Sequence, residues 1–209
     1  MDKVKSLSDI AISDIASETV SFDLFDTLIY RKYLSVFQVH DLASAYALTQ
    51  VGRYQTDSIA DLTQRRYAAT DMLKLGEGDP VEEPPLANVW AEVMSTYLPE
   101  KDAAIAMGAR IAAFEFDVDF RNLSAVDGAR ALLERLKEAG KKIIAISDMY
   151  FSTGEIRQVL ANVGLLDLFD DVYVSATVNK TKQTGSLFTH VCQEHGLQSA
   201  ELTHFGDNT

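Results

Sequence analysis

The sequence predicts an α/β fold, a three-layer α/β/α sandwich around a parallel, Rossmann-like sheet, with a helical insertion. After about residue 122, short apolar segments alternate with helical segments. An uninterrupted apolar segment is typical of a strand that is covered on both faces of its sheet. Strands that alternate with helices are joined by right-handed crossovers, which place the strands parallel.

Four segments predict the strands of this sheet, namely residues 19–25, 143–146, 171–175 and 202–205. The first helix between them is expected to be capped by Asp127 and to end at Gly140. Ser152 to Glu155 has the pattern of a capping box and predicts the start of the next helix. Residues 186–194 predict the last helix, with Cys192 on its apolar side.

Residues 35–121 interrupt this alternation. Their apolar residues recur at three- and four-residue spacing, which predicts helices, and an acidic stretch with glycine and proline over residues 76–85 divides them in two. The predicted domains are a core formed by residues 19–34 and 122–209 and a helical cap formed by residues 35–121. Within the cap, Arg65 and Arg66 are expected to lie on an exposed helix face.

Composition excludes some classes of protein. The chain has 209 residues and a formal net charge of −12, which argues against a nucleic-acid binder because such proteins carry basic surfaces. A single cysteine cannot form an internal disulfide. No apolar segment resembles a secretory signal or is long enough to span a membrane. We therefore expect a cytoplasmic protein without a membrane span.

Polar residues lie at or beyond the ends of the four predicted strands: Asp23, Ser147, Lys180 or Lys182, and Asp207. Ligands of parallel α/β sheets bind beyond the carboxyl ends of the strands, so we expect these side chains to share one edge. Two carboxylates with backbone oxygen and water form a site that suits Mg²⁺. A hydroxyl and a lysine can bind phosphate oxygens, and an aspartate that faces a metal-bound phosphate can attack phosphorus.

These residues lie in four segments, 22–28, 146–148, 181–188 and 206–208, that resemble the four motifs of the haloacid dehalogenase-like (HAD) hydrolase superfamily. The resemblance runs from about Thr19 to the end of the chain. It implies a Mg²⁺-dependent phosphatase that acts on a small phosphorylated metabolite through an aspartyl-phosphate. It also implies a role for each residue: Asp23 is the nucleophile, Ser147 and Lys182 bind phosphate, and Asp23, Asp207 and the Phe25 carbonyl hold the metal.

The first motif departs from the family pattern. Phe25 stands where HAD phosphatases usually have an aspartate that serves as general acid and base, and Asp26 comes one position later. Loss of general acid–base catalysis costs about 10²–10⁴ in rate. We expect Asp26 to be structural and to accept backbone donors in the turn. Dehalogenases of the superfamily also lack that aspartate and need no metal, so metal-independent dehalogenation is the alternative. Those dehalogenases typically lack a metal-binding Gly-Asp pair. The presence of Gly206-Asp207 in this sequence therefore favours phosphoryl chemistry.

A narrower resemblance concerns the Ser147-to-Tyr150 run and the Lys182-to-Phe188 run. These look like HAD modules of larger bacterial surface-polysaccharide proteins, often beside glycosyltransferase domains. A weakly active module of a longer chain is therefore a further alternative. The fourth motif normally continues to another acidic residue, which is not present before the sequence ends at Thr209. Whether the chain is a fragment, with a truncated core and additional domains in a longer native chain, stays open.

Structural interpretations compete with these roles. Ser147 could cap a turn, and Asp207 could belong to a simple Gly-Asp-Asn turn. For Asp148, a structural role and a functional role both stay open. The histidines have no ligand partners at convincing spacing, so we expect structural roles for His40, His190, His195 and His204. The cap is expected to close over the site and exclude water.

Overall fold

The computed structural model describes residues 7, 10–52, 56–75 and 81–207. The chain divides into two compact units, Met1–Tyr30 with Leu123–Thr209 and Arg31–Asn122. Residues 76–80 of the predicted acidic loop lie outside the described residues. The interpretation of residues 19–34 and 122–209 as a catalytic core and of 35–121 as a cap stays a prediction.

The elements alternate along the chain as follows. The strands are β1 (Thr19–Phe22), β2 (Ile29–Arg31), β3 (Leu123–Ala125), β4 (Lys142–Ser147), β5 (Asp171–Val174) and β6 (Leu202–Phe205). The helices are α1 (Val36–Val51), α2 (Ile59–Leu75), α3 (Leu86–Ser95), α4 (Lys101–Asn122), α5 (Ala129–Glu138), α6 (Thr153–Asn162), α7 (Ser175–Val178) and α8 (Ser186–His195). Short 3-10 turns cover Ile12–Asp14, Leu166–Leu168 and Ser199–Glu201.

The first unit is built on a four-stranded sheet in the order β5-β4-β1-β6. Each neighbouring pair in it is parallel, and β2 pairs with β3 in a separate two-stranded sheet. In the register of β1, Ser21 lies between Ile144 of β4 and His204 of β6. The predicted α/β fold with a parallel sheet flanked by helices is confirmed. This topology brings the carboxyl ends of β1, β4 and β6 to one edge.

Apolar burial on both faces of the sheet explains why these segments are strands. Val20 and Phe22 of β1 and the run from Ile143 to Ile146 in β4 are fully buried. Ile144 and Ile146 pack against Leu187 and Val191 of α8. Cys192, on the same helix, is also buried, as expected.

Two helix starts test the capping predictions. Ser152 Oγ accepts a hydrogen bond from Glu155 N, and the Glu155 carboxylate accepts one from Ser152 N, so the predicted capping box is confirmed. The prediction that Asp127 caps α5 is wrong. Gly128 occupies the cap position with φ of +83°, and no side chain caps this helix, because glycine adopts this left-handed conformation without steric cost.

The first strand is shorter than predicted, since β1 ends at Phe22 and not at residue 25. Asp23 N still donates to Phe205 O, but the chain then turns. The carbonyl of Leu24 accepts hydrogen bonds from the backbone of Thr27, Leu28 and Ile29. This tight turn leaves Asp23 directly after the end of the strand.

The second unit contains α1 to α4 and buries a charged network. Arg66 donates to both carboxylate oxygens of Glu115, and Trp90 Nε1 donates to Glu115 Oε2 at 2.7 Å. Arg66 is 4% exposed and Glu115 fully buried. The expectation of an exposed face is therefore wrong for Arg66, because a buried carboxylate on α4 pairs with it. Arg65 does lie at the surface, beside Asp57.

None of the helices in the described ranges has both the length and the apolar character that crossing a membrane requires.

Candidate active site

A cavity of about 550 Å³ lies at the carboxyl ends of β1, β4 and β6. This volume is within the usual range for small-molecule sites. The lining residues all belong to the first unit: Asp23, Phe25, Asp26, Asp148, Lys182, Gln183, Phe188, His204, Gly206 and Asp207. The cavity thus brings together Asp23, Lys182 and Asp207 from three of the predicted segments, with Phe25 beside them.

Asp23 lines this cavity and is held by its neighbours. The residue is 8% exposed. Its Oδ1 accepts one hydrogen bond from Leu24 N at 2.8 Å and forms an ion pair with Lys182 Nζ, also at 2.8 Å. No hydrogen bond reaches Oδ2 from any residue that the structure describes, so this oxygen remains available to a ligand.

Burial raises the pKa of the Asp23 carboxyl above its ordinary value. The Lys182 ammonium and the Leu24 N–H oppose this rise, whereas the negative charge of Asp207 adds to it. The two carboxylates are therefore within electrostatic reach of each other. A divalent cation bound by both would remove this repulsion and lower the pKa of Asp23.

Lys182 owes its position to Asp148. The loop between α7 and α8 carries Lys182, and Lys182 N donates to both oxygens of the Asp148 carboxylate, at 2.8 and 3.0 Å. Asp148 follows β4 directly, so this contact ties the loop to the end of the sheet. Lys180, the competing lysine, does not line the cavity. The structure therefore gives Asp148, which the sequence left open, a positioning contact.

Asp207 follows β6 and is exposed on the cavity wall. Gly206, before it, lies close to Asp23, since a Cβ built on Gly206 would be 3.4 Å from Asp23 Cβ. Phe25 lines the same cavity. Asn208 lies outside the described residues.

The carboxylates that line this cavity are oxygen donors of the kind that hard cations prefer. Within the described part of the chain, no group of three or more His, Cys, Asp or Glu side chains could hold a metal ion. The arrangement expected from the sequence uses only two carboxylates, Asp23 and Asp207, with one backbone carbonyl at Phe25. Mg²⁺ is commonly bound by one or two carboxylates, with waters and substrate phosphate completing its shell, so the residues present fit this ion.

Ser147 is the last residue of β4. It is 1% exposed and is not one of the cavity-lining residues. Its Oγ is buried, and no hydrogen-bond partner for it is found among the described residues. A buried hydroxyl without a partner costs about 1–3 kcal/mol, and a ligand oxygen is one group that could satisfy it.

Asp26 differs from its expected role. Its carboxylate accepts no backbone hydrogen bond in the described ranges, and the residue is exposed on the cavity wall. Instead Asp26 N donates to Ile29 O at 2.8 Å, and φ of +58° places Asp26 in the left-handed region. Aspartate tolerates that conformation better than most residues, so the backbone and not the carboxylate makes this turn.

Sequence reasoning missed His204. It was expected to be structural, yet it lines the cavity. Its position two residues before Gly206, near the carboxyl end of β6, was the available signal. The other three histidines do not line the cavity: His40 contacts Tyr67 in the second unit, and His190 and His195 pack edge-on against Tyr173.

Comparison with known proteins gives one family. The family model of the haloacid dehalogenase-like hydrolases matches residues 18–209 of this chain. No curated protein matches the sequence.

Solved structures of similar fold include a 2-haloacid dehalogenase from Pseudomonas syringae pv. tomato DC3000, with a TM-score of 0.66 and 16% identity over 91% of this chain and 77% of that chain. A predicted phosphoglycolate phosphatase from Haemophilus somnus 129pt has a TM-score of 0.57 and 16% identity over the same shares of the two chains, 91% and 77%. A predicted phosphatase from Clostridium acetobutylicum has a TM-score of 0.51 and 18% identity, over 91% of this chain and 76% of that chain. At these identities the likeness concerns the fold alone.

Proposed function

Since the chain belongs to the haloacid dehalogenase-like hydrolases, we propose that it is a Mg²⁺-dependent phosphatase acting on a small phosphorylated metabolite. The observation that carries this proposal is the meeting of three charged groups in one cavity. Asp23 and Asp207 supply two carboxylates, and the Lys182 ammonium lies 2.8 Å from Asp23 Oδ1. Such a set suits a dianionic ester better than a neutral substrate, because a cation and a lysine can offset the phosphate charge.

The metal would be held by Asp23, Asp207 and the Phe25 carbonyl, and when bound it would neutralise charge on the transferring phosphoryl group. Lys182 neutralises the Asp23 carboxylate and favours its ionised form. Ser147 Oγ, buried without a partner in the described chain, is proposed to donate to a phosphoryl oxygen. Catalysis would thus come mainly from positioning and charge neutralisation.

The proposed reaction has two displacements at phosphorus. In the first, an Asp23 oxygen forms a bond to phosphorus, and the bond from phosphorus to the ester oxygen breaks. The leaving oxygen takes its proton from solvent, because Phe25 has none to give. In the second, water attacks the aspartyl-phosphate, the bond from phosphorus to Asp23 breaks, and a proton passes to solvent. Inorganic phosphate and the free carboxylate result.

Dehalogenation is the second candidate, and Phe25 is the observation that favours it. In that reaction Asp23 attacks carbon, halide leaves with its bonding electrons, and water hydrolyses the resulting ester. A halide needs no proton when it leaves, so a site without an acid at position 25 suits it. Asp207 on the cavity wall argues for the phosphatase, since a carboxylate there serves no purpose in attack on a halocarboxylate.

We also propose that residues 19–34 and 122–209 form the catalytic core and 35–121 a cap that governs access to it. The likeness to modules of surface-polysaccharide proteins stays a prediction.

One assay separates the candidates. Purified protein is given an aryl phosphate or a 2-haloacid, with Mg²⁺ or with EDTA, and released phosphate and halide are measured. The phosphatase requires phosphate release that depends on Mg²⁺ and is lost in Asp23→Asn but kept in Asp127→Asn, a matched change outside the cavity. Halide release in EDTA would support the dehalogenase, and the absence of both activities would support a weakly active module.

A further inference from the structure

We propose that His204 binds the substrate, with its Nε2–H donating a hydrogen bond to a phosphoryl oxygen held beside Asp23. The inference rests on the proposed function in one respect, namely that the ligand is a phosphate. No step of the reaction outlined above uses this residue.

The backbone register fixes the His204 ring. His204 lies directly opposite Ser21 in the paired strands β6 and β1, and its Nδ1 is 2.9 Å from Ser21 Oγ. On its other side the ring packs edge-to-face against Phe188, with the centroids 4.8 Å apart at 74°. The ring is therefore held by one polar and one aromatic contact.

The Ser21 hydroxyl decides which ring nitrogen carries the proton. Ser21 is fully buried, and His204 is its one side-chain hydrogen-bond partner among the residues described. If Nδ1–H donated to Ser21 Oγ, the serine hydroxyl proton would be buried without an acceptor. Such unsatisfied buried donors lower the free energy of unfolding and are rare in native proteins. If Ser21 donates to Nδ1, that proton is satisfied and the ring carries its own proton on Nε2.

His204 lines the cavity, and Nε2 is its atom nearest to a Cβ built on Gly206. A Cβ built on Gly206 would lie 3.3 Å from His204 Nε2 and 3.4 Å from Asp23 Cβ. The missing side chain of Gly206 thus leaves open the space between the histidine and the aspartate. No hydrogen bond to Nε2 is present over the described ranges, so the N–H is available to a ligand in that space.

Electrostatics support a neutral donor at this point. Burial, with the nearby Lys182 ammonium, lowers the pKa of His204 to about 4. The ring is therefore neutral at pH 7, with one N–H to give. A neutral donor beside Lys182 adds a hydrogen bond to an anionic oxygen without placing a second buried cation there.

The two amide variants of His204 separate the ring's two contacts. Asparagine places its amide group near the position of Nδ1, where the amide oxygen can accept the hydrogen bond from Ser21. Glutamine places its amide nitrogen, a donor, near the position of Nε2. Binding of inorganic phosphate is measured by titration calorimetry in the presence of Mg²⁺ for the wild type, His204→Asn and His204→Gln. His190→Asn, on α8 and away from the cavity, is the control. We expect phosphate affinity to fall about tenfold or more in His204→Asn and to change less in His204→Gln.

Nitrogen-15 spectra of the histidine rings test the tautomer without any ligand. The expected result is the Nε2–H form for His204 in the wild type and an increased Nδ1–H population in Ser21→Ala. This readout also decides the question if His204→Asn does not fold. The Nδ1–H form in the wild type, no phosphate binding by the wild type, or unchanged phosphate affinity in a folded His204→Asn would each overturn the proposal.

The outcome is separable from that of the proposed function. Wild-type protein that binds phosphate through His204 but hydrolyses no phosphate ester would remove the phosphatase and leave the binding role. If the wild type hydrolyses phosphate esters and His204→Asn binds phosphate normally, the phosphatase is kept and the binding role of His204 is removed.

Discussion

The Lys182 ammonium lies 2.8 Å from Oδ1 of Asp23, and Asp148 holds the backbone of the same lysine. The loop before α8 is thus joined to the end of β1 by an ion pair and to the end of β4 by the Asp148 carboxylate. Because the ammonium opposes the rise that burial causes in the pKa of Asp23, this pair links the protonation of the proposed nucleophile to Lys182.

Replacement of Lys182 by methionine should therefore change the pH dependence of phosphatase activity. The ammonium lowers the pKa of Asp23 against the effect of burial, so its removal raises that pKa further. Activity that requires ionised Asp23 should then be lost at a higher pH on acidification, and kcat should fall by about 10²–10³. The measurement is the pH profile of kcat/KM, with Lys180→Met as the matched control. An acid limb in the same place in wild type and Lys182→Met would contradict this role.

Phe25→Asp should add the proton donor that the first motif lacks. Phe25 lines the cavity, so a carboxylic acid there would be near the leaving oxygen. We expect turnover of alkyl phosphates, whose leaving groups need a proton, to rise by up to about 10²–10⁴, and turnover of activated aryl phosphates to rise much less. The control is Phe25→Asn, which has a similar shape but no acid. Equal effects of the two substitutions on alkyl phosphates would show that the missing acid is not what limits the rate.

Stability should fall as the pH falls below about 6.5, the ordinary pKa of histidine. Burial and the neighbouring Lys182 lower the pKa of His204 to about 4. Burial and the Arg66 and Arg31 guanidinium groups lower the pKa of His40 to about 3. The Glu115 carboxylate, 3.7 Å from His40 Nε2, would act in the opposite direction, but the pKa is still lowered.

The sign follows from proton binding. Below about 6.5 the unfolded chain takes up two protons that the folded chain refuses until about pH 4 and 3, so acid favours unfolding by up to about 1.4 kcal/mol per pH unit for each histidine. Asp23 has the opposite effect on the pH dependence of stability. Its pKa is raised in the folded protein, so its contribution to the free energy of unfolding is present at low pH and lost as the pH rises. Urea unfolding at several pH values measures the slope. His40→Gln should reduce it, and a flat profile between pH 6.5 and 4.5 would contradict the neutral buried histidines.

Glu115→Ala should destabilise the helical unit strongly. The substitution leaves the Arg66 guanidinium, 4% exposed, without its carboxylate partner, and such a loss costs about 3–5 kcal/mol. Trp90 Nε1 also loses its acceptor. Chemical unfolding followed by Trp90 fluorescence measures the effect. Asp117→Ala, which removes an exposed pair with Arg121 on the same helix, should cost less than about 1 kcal/mol. Similar costs for the two variants would mean that burial of the Arg66 pair has no special effect.

The sheet could be predicted from the sequence because its signals are local. A continuous apolar run marks β4, and Ser152 with Glu155 marks the start of α6 through side chains three residues apart. Parallel order follows from the helices between the strands. The placing of Asp23 and Lys182 in one cavity then follows from topology, since both lie beyond strand ends of the same sheet.

Features set by distant contacts could not be predicted. Arg66 looks like a surface residue of α2, and only the packing of α4 brings Glu115 to it. His204 is a polar residue in a short strand, and its exposure to the cavity depends on the missing side chain of Gly206. Aspartate is a common cap, which favours Asp127 at the start of α5, but the left-handed backbone there places Gly128 at the cap position.

The central claim is that Asp23 becomes phosphorylated at a site that needs Asp207 and a divalent cation. The most direct measurement is mass spectrometry of protein that has been quenched in acid during turnover of an aryl phosphate. The account predicts phosphate on the peptide containing Asp23 in the presence of Mg²⁺, and none in EDTA, in Asp23→Asn or in Asp207→Asn. Phosphate on another residue, or equal labelling of Asp23 in EDTA, would contradict it.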